Sequence, residues 1–194
     1  MSKADRHAAV QLDTLLTERL VLRRFNAGDH DAMAALNADP VVMEHLPGVM
    51  MRADTLEGFA RIDAHFAAHG FGLWAVEVCG GPQCIGFVGL MRPSFSAPFM
   101  PCVEIGWRLA RTAWGHGYAT EAARAALHAG FTQLGLLEIV SFTVPANVRS
   151  RRVMERIGMQ RDTSADFDHP RLPEGHPLRR HVLYRIHAGA SALS

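Results

Sequence analysis

The chain has 194 residues, which is enough for one domain with a substantial core and no need of disulfides or metals. Hydrophobic residues make up 48% of it and charged residues 20%, a balance typical of globular proteins rather than disordered or membrane-spanning ones. Twenty Lys and Arg residues stand against nineteen Asp and Glu residues, so the overall charge gives no reason to expect nucleic acid or a membrane as partner.

The cysteines and the N-terminal residues bear on location. The three cysteines are odd in number and form no CxxC pair, which favours a reducing cytoplasm over a disulfide framework. No apolar run follows Lys3 and Arg6, so no export signal is visible, and no stretch reaches the ~20 apolar residues of a membrane span. We expect a cytoplasmic protein with a single domain over residues 1–194, in which residues 1–16 form a loosely ordered extension.

The chain opens with a predicted strand and two predicted helices. Alternation of leucine and arginine over residues 19–25 predicts a half-buried strand. Asp29 precedes a predicted first helix, which ends before Pro40 because the residue before proline avoids the helical conformation. Asp54 is expected to cap a second helix, which ends at Gly70.

A hairpin and a loop follow. Residues 71–78 and 84–91 are rich in strand-forming residues and are separated by a Gly-Gly-Pro turn, which predicts two antiparallel neighbours. Residues 92–101 contain three prolines and predict a loop, whose Phe95 and Phe99 side chains we expect to pack against the protein.

The second half of the chain alternates predicted strands with predicted helices. In chain order these are a strand over 103–109, a helix over 118–131, a strand over 138–144, a helix ending near residue 157 and a strand over 179–186. Residues 162–177 are rich in Asp, His and Pro and are expected to be irregular. The order of elements predicts an α/β protein with a mixed sheet.

A glycine loop joins the strand over 103–109 to the helix over 118–131. Gly115 and Gly117 carry no Cβ, so successive backbone N–H groups of the loop can converge on a phosphate. The helix start adds unpaired N–H donors and the positive end of its dipole. Such a loop suits a dinucleotide, a nucleoside triphosphate or the pyrophosphate of coenzyme A.

The residues around the loop discriminate among these ligands. A P-loop requires Lys and Ser or Thr where this chain has Tyr118 and Ala119. A nicotinamide-binding loop requires a small residue where this chain has Thr120, and an acidic residue at the end of the next strand, which Glu138 instead begins. Coenzyme A is therefore the favoured ligand, with a nicotinamide enzyme as a remote alternative.

Four segments resemble the GCN5-related N-acetyltransferases (GNAT), and specifically their RimJ/RimL-like branch of ribosomal-protein N-terminal acetyltransferases. They are TERLVLR at 17–23, EIGWRL at 104–109, WGHGYATEA at 114–122 and NVRSRRVMERIGM at 147–159. The family's loop has the form Gln/Arg-Gly-x-Gly-x-Gly/Ala. This chain matches at Gly115, Gly117 and Ala119 but has Trp114 at the first place.

The resemblance implies a fold and an activity. The fold is a central, mostly antiparallel sheet of six to seven strands, splayed at the middle and flanked by about four helices. The activity is acetyl-CoA-dependent N-acetylation of a primary amine, which in this branch is a protein N-terminal α-amine. Acetylation of a small-molecule amine or amino-acid derivative stays open, as do a non-catalytic acyl-CoA sensor and a homodimer. The histidines lack a spacing such as HExxH, so no metal is expected.

The resemblance also assigns two catalytic residues. Glu104 is similar to the family's carboxylate that takes the amine proton, although it could instead pair with a nearby arginine. The oxyanion is expected at a backbone N–H near Ile105 or Gly106. Ser150 resembles the hydroxyl that this branch uses near the thioester sulfur, since Met154 stands where many members have a proton-donating tyrosine.

Donor binding is assigned by the same resemblance. Asn147 is expected to touch the cofactor arm or else to cap its helix, Arg152 could reach the phosphates or lie in solvent, and His116 could be a spacer. The residues expected to bind acetyl-CoA are Ile105, Gly106, Trp107, Trp114, Gly115, His116, Gly117, Tyr118, Ala119, Thr120, Asn147 and Arg152.

Overall fold

The computed structural model of the chain describes residues 10–189, which form a single eight-stranded sheet with four α-helices. The strands are β1 (Thr14–Leu16), β2 (Leu20–Arg23), β3 (Leu73–Val78), β4 (Gly86–Met91), β5 (Glu104–Leu109), β6 (Glu138–Thr143), β7 (Gln160–Asp168) and β8 (Arg180–His187). The helices are α1 (His30–Ala38), α2 (Arg52–His69), α3 (Tyr118–Thr132) and α4 (Val148–Arg156), with 3₁₀ turns at Ala27–Asp29 and Arg111–Ala113.

The sheet opens at its middle. Its strand order is β1-β2-β3-β4-β5-β6-β8-β7, and every neighbouring pair is antiparallel except β5 and β6. These two strands are parallel and meet only where Glu104 lies opposite Val140. The predicted mixed sheet with a splayed centre is therefore confirmed, and the opening lies directly before the glycine loop.

The two faces of the sheet are covered by different helices. On one face α3 packs against β4 and β5, around the fully buried Ile105 and Leu127. On the other face a smaller cluster joins Met33 of α1 and Phe59 of α2 to Phe87 of β4. Side chains alternate along a strand, so β5 points its odd-numbered residues toward α3 and its even-numbered residues toward α1 and α2.

Two strands were not predicted, which is why the sheet has eight strands rather than six to seven. Residues 14–16 were expected in a loosely ordered extension but form β1 on the edge of β2, with Leu15 buried; residues 1–9 lie outside the described part. Residues 160–168 form β7, although irregular structure was expected from residue 162. Its polar composition is compatible with a strand because Asp162 pairs with Arg185 of β8 at 2.8 Å.

The predicted cap of the second helix was wrong, whereas Asp29 directly precedes α1 as expected. The Asp29 side chain makes no capping hydrogen bond to α1; it accepts the N–H of Asn26 at 2.8 Å and pairs with both terminal nitrogens of Arg23 at 2.8 Å. Asp54 lies inside α2 and accepts the N–H of Met51 at 3.0 Å, so the helix begins three residues earlier than expected. The predicted 71–78 and 84–91 hairpin is confirmed as β3 and β4. No helix within residues 10–189 is long and apolar enough to cross a membrane.

Candidate active site

The glycine loop has the backbone conformation that its sequence predicts. After β5 the chain makes the 3₁₀ turn and then places Gly115 at a φ of 83° and Gly117 at a φ of 81°. Gly117 is the residue before the first turn of α3. Both glycines have the left-handed conformation that side chains with a Cβ disfavour, so the glycines are required by the backbone rather than by lack of space.

The loop offers six consecutive backbone donors. The N–H groups of residues 115–120 find no acceptor among the described residues, and the next N–H, that of Glu121, bonds the Gly117 carbonyl at 3.0 Å. Three of the six belong to the loop and three to the first turn of α3, where the helix dipole favours an anion. This donor set fits a diphosphate, as expected of Gly115, His116, Gly117, Tyr118, Ala119 and Thr120.

A network from the N-terminal end of the sheet holds this loop. Arg19 donates to the His116 carbonyl at 3.1 Å and through its Nε to the Glu121 carboxylate at 2.7 Å. The same carboxylate accepts the Thr17 hydroxyl at 2.6 Å, and the Arg19 guanidinium lies 5.0 Å from the centre of the Tyr118 ring. The roles of Arg19 and Glu121 were not predicted from sequence, although both residues lie in the segments that carry the family resemblance.

Trp114, which stands where the family has Gln or Arg, has a structural place. Its indole Nε1 donates to the Leu109 carbonyl at 2.8 Å, which ties the end of β5 to the loop. The Arg149 guanidinium of α4 lies 4.5 Å from the centre of the Trp114 ring. The indole therefore fixes the loop between β5 and α4, while the backbone of the following residues provides the donors.

The opening between β5 and β6 exposes backbone groups of β5. The Leu90 N–H donates to the Gly72 carbonyl at 3.0 Å, so the backbone groups of Leu90 point toward β3. The backbone groups of the adjacent Gly89 point the opposite way, toward β5, where Gly89 lies opposite Gly106. Gly106 therefore points its N–H toward β4 and away from the opening. Residues of β5 that face β6 are the odd-numbered ones. Beyond the pairing at Glu104, the Ile105 carbonyl and the Trp107 N–H lie along the opening.

This geometry corrects the expected oxyanion donor. The parallel pairing of Glu104 with Val140 directs the Ile105 N–H to the Val140 carbonyl, and Gly106 is turned away. Trp107 is the first β5 residue whose N–H faces the opening without a strand partner. The expected Ile105, Gly106 and Trp107 group thus stays at the site, but its free donor is Trp107.

Glu104 lies at the point where the strands separate. Its half-buried carboxylate makes no hydrogen bond or ion pair with any described residue, so the alternative pairing with an arginine is absent from residues 10–189. Burial raises the pKa of Glu104 to about 8. A carboxylic acid without a charge partner, held near neutral pKa by desolvation, is suited to accept and release a proton.

The start of α4 brings Asn147 and Ser150 together. The Asn147 side chain accepts the Ser150 N–H at 3.1 Å and donates to the Thr143 hydroxyl at 3.0 Å, so Asn147 caps the helix, as its alternative role required. The half-buried Ser150 hydroxyl has no hydrogen-bond partner in the described part of the chain. Met154, one turn further on the same face, is buried in the core.

The three arginines at the start of α4 have different surroundings. Arg149 pairs with Glu44 at 2.9 Å, and Arg151 donates to the Tyr184 hydroxyl at 3.2 Å. Arg152 is exposed and has no ion-pair partner within residues 10–189, which leaves it free to approach a phosphate.

A groove lies on the α1 side of the sheet. It is lined by Met43, Leu46, Pro47, Gly48, Val49, Met50 and Arg108. Phe95 and Phe99 do not reach it, because they pack beside Val140, Phe167 and Leu183 in a separate cluster, as the sequence predicted. The groove therefore has an open, mainly apolar wall. The described residues contain no group of three or more His, Cys, Asp or Glu side chains placed to hold a metal ion.

A sheet that opens between two parallel neighbours, followed by a loop of free amides at a helix start, is the arrangement that the family resemblance implies for an enzyme that binds an acyl-CoA and transfers its acyl group. Residues 19–160 match the family described as acetyltransferase (GNAT) domain. The chain therefore belongs to the GNAT family and is an N-acetyltransferase, for which the family implies acetyl-CoA as co-substrate.

Individual relatives agree with this assignment. The chain is 32% identical over 146 residues to the uncharacterized protein YkkB of Bacillus subtilis, covering 75% of this chain and 84% of YkkB. It is similar to a GNAT-family acetyltransferase from Bacillus anthracis, with a TM-score of 0.74 and 29% identity over 90% of this chain and 98% of that one. An acetyltransferase from Agrobacterium tumefaciens gives a TM-score of 0.72 and 30% identity over 96% and 99% of the two chains.

Proposed function

We propose that this enzyme acetylates a protein N-terminal α-amine, in the manner of the RimJ/RimL-like branch, with Glu104 as the general base. The observation that carries the proposal is the Glu104 carboxylate, which lies at the opening of the sheet without a partner among residues 10–189 and has its pKa raised to about 8. An α-amino group has a pKa of roughly 7.7–8.0, whereas a lysine side chain has one of about 10.4. The base is thus matched to an α-amine.

The donor side is assigned to backbone groups. The amides of residues 115–120 would hold the pyrophosphate, with Arg152 as an additional cation, and the opening of β5 would take the pantetheine amides. Acetyl-CoA, when bound, supplies the acetyl group as an activated thioester. The Trp107 N–H donates a hydrogen bond where negative charge develops on the acetyl oxygen.

Two side chains are assigned to the amine proton and to the leaving thiolate. Glu104 accepts the proton of the amine as the C–N bond forms, directly or through one water. Ser150 donates a hydrogen bond to the departing thiolate in the place of the family tyrosine, since its hydroxyl has no competing partner among residues 10–189 and Met154 cannot donate.

The open groove favours a peptide over a small enclosed amine. A small amine would be enclosed by the Met43, Phe95 and Phe99 side chains, but the two phenylalanines are packed away from the groove. Exposed apolar side chains at Val49 and Met51 border the groove, with 54% and 72% of their surface accessible, and can pack against an extended chain. Acetylation of a small amine or amino-acid derivative is the second candidate, because it uses the same donor site.

Thiol release from acetyl-CoA tests both candidates. Wild-type enzyme is assayed with peptides that carry free N-termini, with the same peptides blocked at the α-amine but containing lysine, and with polyamines and amino acids. The proposal predicts kcat/KM at least tenfold higher for free N-termini than for lysine-only peptides. A preference for polyamines or amino acids would favour the small-molecule candidate, and CoA binding with no turnover of any amine would contradict both.

A further inference from the structure

Arg108 is a cation in the wall of the groove beside α1, and it has no anionic partner in the part of the chain that the structure describes. It lies on β5 with its side chain on the same face as Glu104 and Gly106, and it forms part of the groove wall. No carboxylate within residues 10–189 makes an ion pair with it. The other arginines whose guanidinium groups face the protein, such as Arg23 and Arg185, each pair with two carboxylates.

The guanidinium is positioned but only partly used. Its Nη1 donates to the Asn37 side-chain oxygen at 2.6 Å and contacts the Met50 sulfur at 3.8 Å. The Asn37 amide in turn donates to the Thr55 hydroxyl at 3.0 Å, and both of these residues are buried. Within the described chain the Nε and Nη2 groups of Arg108 have no partner, and neither is sealed from solvent. The network orients the side chain and leaves two donors at the groove.

Holding the Arg108 guanidinium partly buried without an anion costs free energy, which an anionic ligand would offset. Partial burial lowers the pKa of Arg108 to about 10, which shows that the protein disfavours the charge. A planar guanidinium with two neighbouring free N–H groups matches a carboxylate, which can accept both in a bidentate pair. No described protein group satisfies this demand.

We infer that Arg108 binds a carboxylate of the acceptor, so that the enzyme selects peptides with an acidic residue close to the amine that it acetylates. This inference rests on the proposed function, because it places the amine at Glu104 and the carboxylate four residues further along the same strand face.

The spacing on β5 indicates where the acidic residue lies. A strand rises ~3.3 Å per residue, so the Cα atoms of Glu104 and Arg108 are about 13 Å apart. Consistent with this separation, burial causes the pKa shifts of both Glu104 and Arg108, and neither residue shifts the pKa of the other. The amine and carboxylate of one amino acid share a carbon atom and span too little to reach both groups. A side-chain carboxylate in the second or third residue of an extended peptide spans enough.

Matched peptides test the inference. Tripeptide amides that differ only by glutamate or glutamine, in the first, second or third position, are assayed with wild-type enzyme and saturating acetyl-CoA, alongside free amino acids. We expect kcat/KM at least tenfold higher for glutamate in the second or third position, expressed mainly in KM. Equal values for the acidic and amide peptides would overturn the inference while leaving the proposed function intact.

Variants assign the preference to Arg108. Arg108→Gln should bring the acidic-to-amide ratio close to one, and Arg108→Lys should restore part of it because the charge is kept. Arg111→Gln, which removes the same charge from an exposed side chain three residues away, serves as the control and should leave the ratio unchanged. A ratio that survives in Arg108→Gln would refute the role.

A binding measurement keeps the two proposals separable. N-acetylated product peptides are titrated calorimetrically into enzyme loaded with CoA, which requires no turnover, and thermal unfolding confirms that each variant is folded. Tighter binding of the acidic product to wild-type but not Arg108→Gln supports the inference even if the proposed amine is wrong. Equal binding of acidic and amide products by wild type contradicts it.

Discussion

Replacement of Glu104 by Gln tests the assigned base through the pH dependence of the reaction. The substitution keeps the shape and removes the ability to accept a proton. With a pKa of about 8, Glu104 is ionised in about one tenth of free enzyme molecules at pH 7 and in about nine tenths at pH 9. Its contribution to kcat/KM should therefore rise about tenfold between these two pH values.

The loss caused by the substitution follows from the same ionisation. A positioned general base contributes roughly 10²–10⁴ to rate. We expect that loss in Glu104→Gln at pH 9, where wild-type Glu104 is ionised, and a loss about tenfold smaller at pH 7. The acceptor in this assay should have an amine that is already neutral at about pH 6, such as trifluoroethylamine, so that the profile reports Glu104 and not the substrate.

A peptide acceptor adds a second titration that serves as a cross-check. Both the α-amine and Glu104 must lose a proton, so the logarithm of wild-type kcat/KM should rise with a slope near two below about pH 7, and that of Glu104→Gln with a slope near one. A wild-type slope of one, together with an unchanged rate in Glu104→Gln, would refute the role of Glu104 as base.

Stability provides a readout that is independent of turnover. The folded pKa of Glu104 lies above its ordinary value of 4.5, so the folded state binds a proton that the unfolded state releases. Wild-type stability relative to Glu104→Gln should fall as pH rises from about 4.5 to about 8 and then level off. Thermal unfolding of both proteins over this range measures the difference, and parallel curves would show that burial does not perturb this carboxyl.

Four further substitutions probe the donor site and the fold. Gly117→Ala should weaken CoA binding about tenfold in calorimetry, since a left-handed conformation costs an alanine roughly 1–2 kcal/mol. Ser150→Ala should lower kcat by tenfold or more with CoA affinity within about twofold; equal losses would mark Ser150 as a binding residue. Arg19→Gln should weaken CoA binding severalfold and change the melting temperature little, because its ion pair is exposed. Burial acts to raise the pKa of Asp29, but hydrogen bonds from Arg23 and the Asn26 N–H outweigh it and lower the pKa. Asp29→Asn should therefore lower the free energy of unfolding by about 2 kcal/mol or more near pH 7. This difference between wild type and variant should vanish as pH falls through the lowered pKa of Asp29.

The donor loop could be predicted from sequence because its determinants are local. Gly115 and Gly117 allow the left-handed backbone conformation that the loop needs. The strand, the loop and the helix also follow one another directly in the chain. The Arg19–Glu121 pair could not be found in this way, because 102 residues separate its members and only the folded structure brings them together. Arg108 likewise lies in a strand that the sequence predicts. Whether a carboxylate pairs with it depends on where the chain folds every described Asp and Glu, which sequence alone does not give.

Strand β7 was not predicted from sequence for a different reason. Its nine residues alternate weakly in burial, and only Phe167 is buried, so hydrophobic periodicity gave no signal. The strand is stabilised instead by pairing with β8 and by ion pairs such as Asp162 with Arg185. Polar edge strands of this kind depend on a neighbour that lies later in the chain, and local patterns cannot reveal it.

Under the proposed assignment, the alternation of β5 separates donor binding from acceptor selection. Its odd-numbered residues face the opening with their backbone groups and bury their side chains against α3, so the donor is bound by atoms that every residue type supplies. Its even-numbered side chains, Glu104 and Arg108, face the acceptor. A substitution at position 108 can therefore change the acceptor while the donor contacts stay in place, whereas a change at Ile105 alters the packing beneath them. Relatives with the same donor loop can on this basis differ in acceptor through single side chains on one strand face.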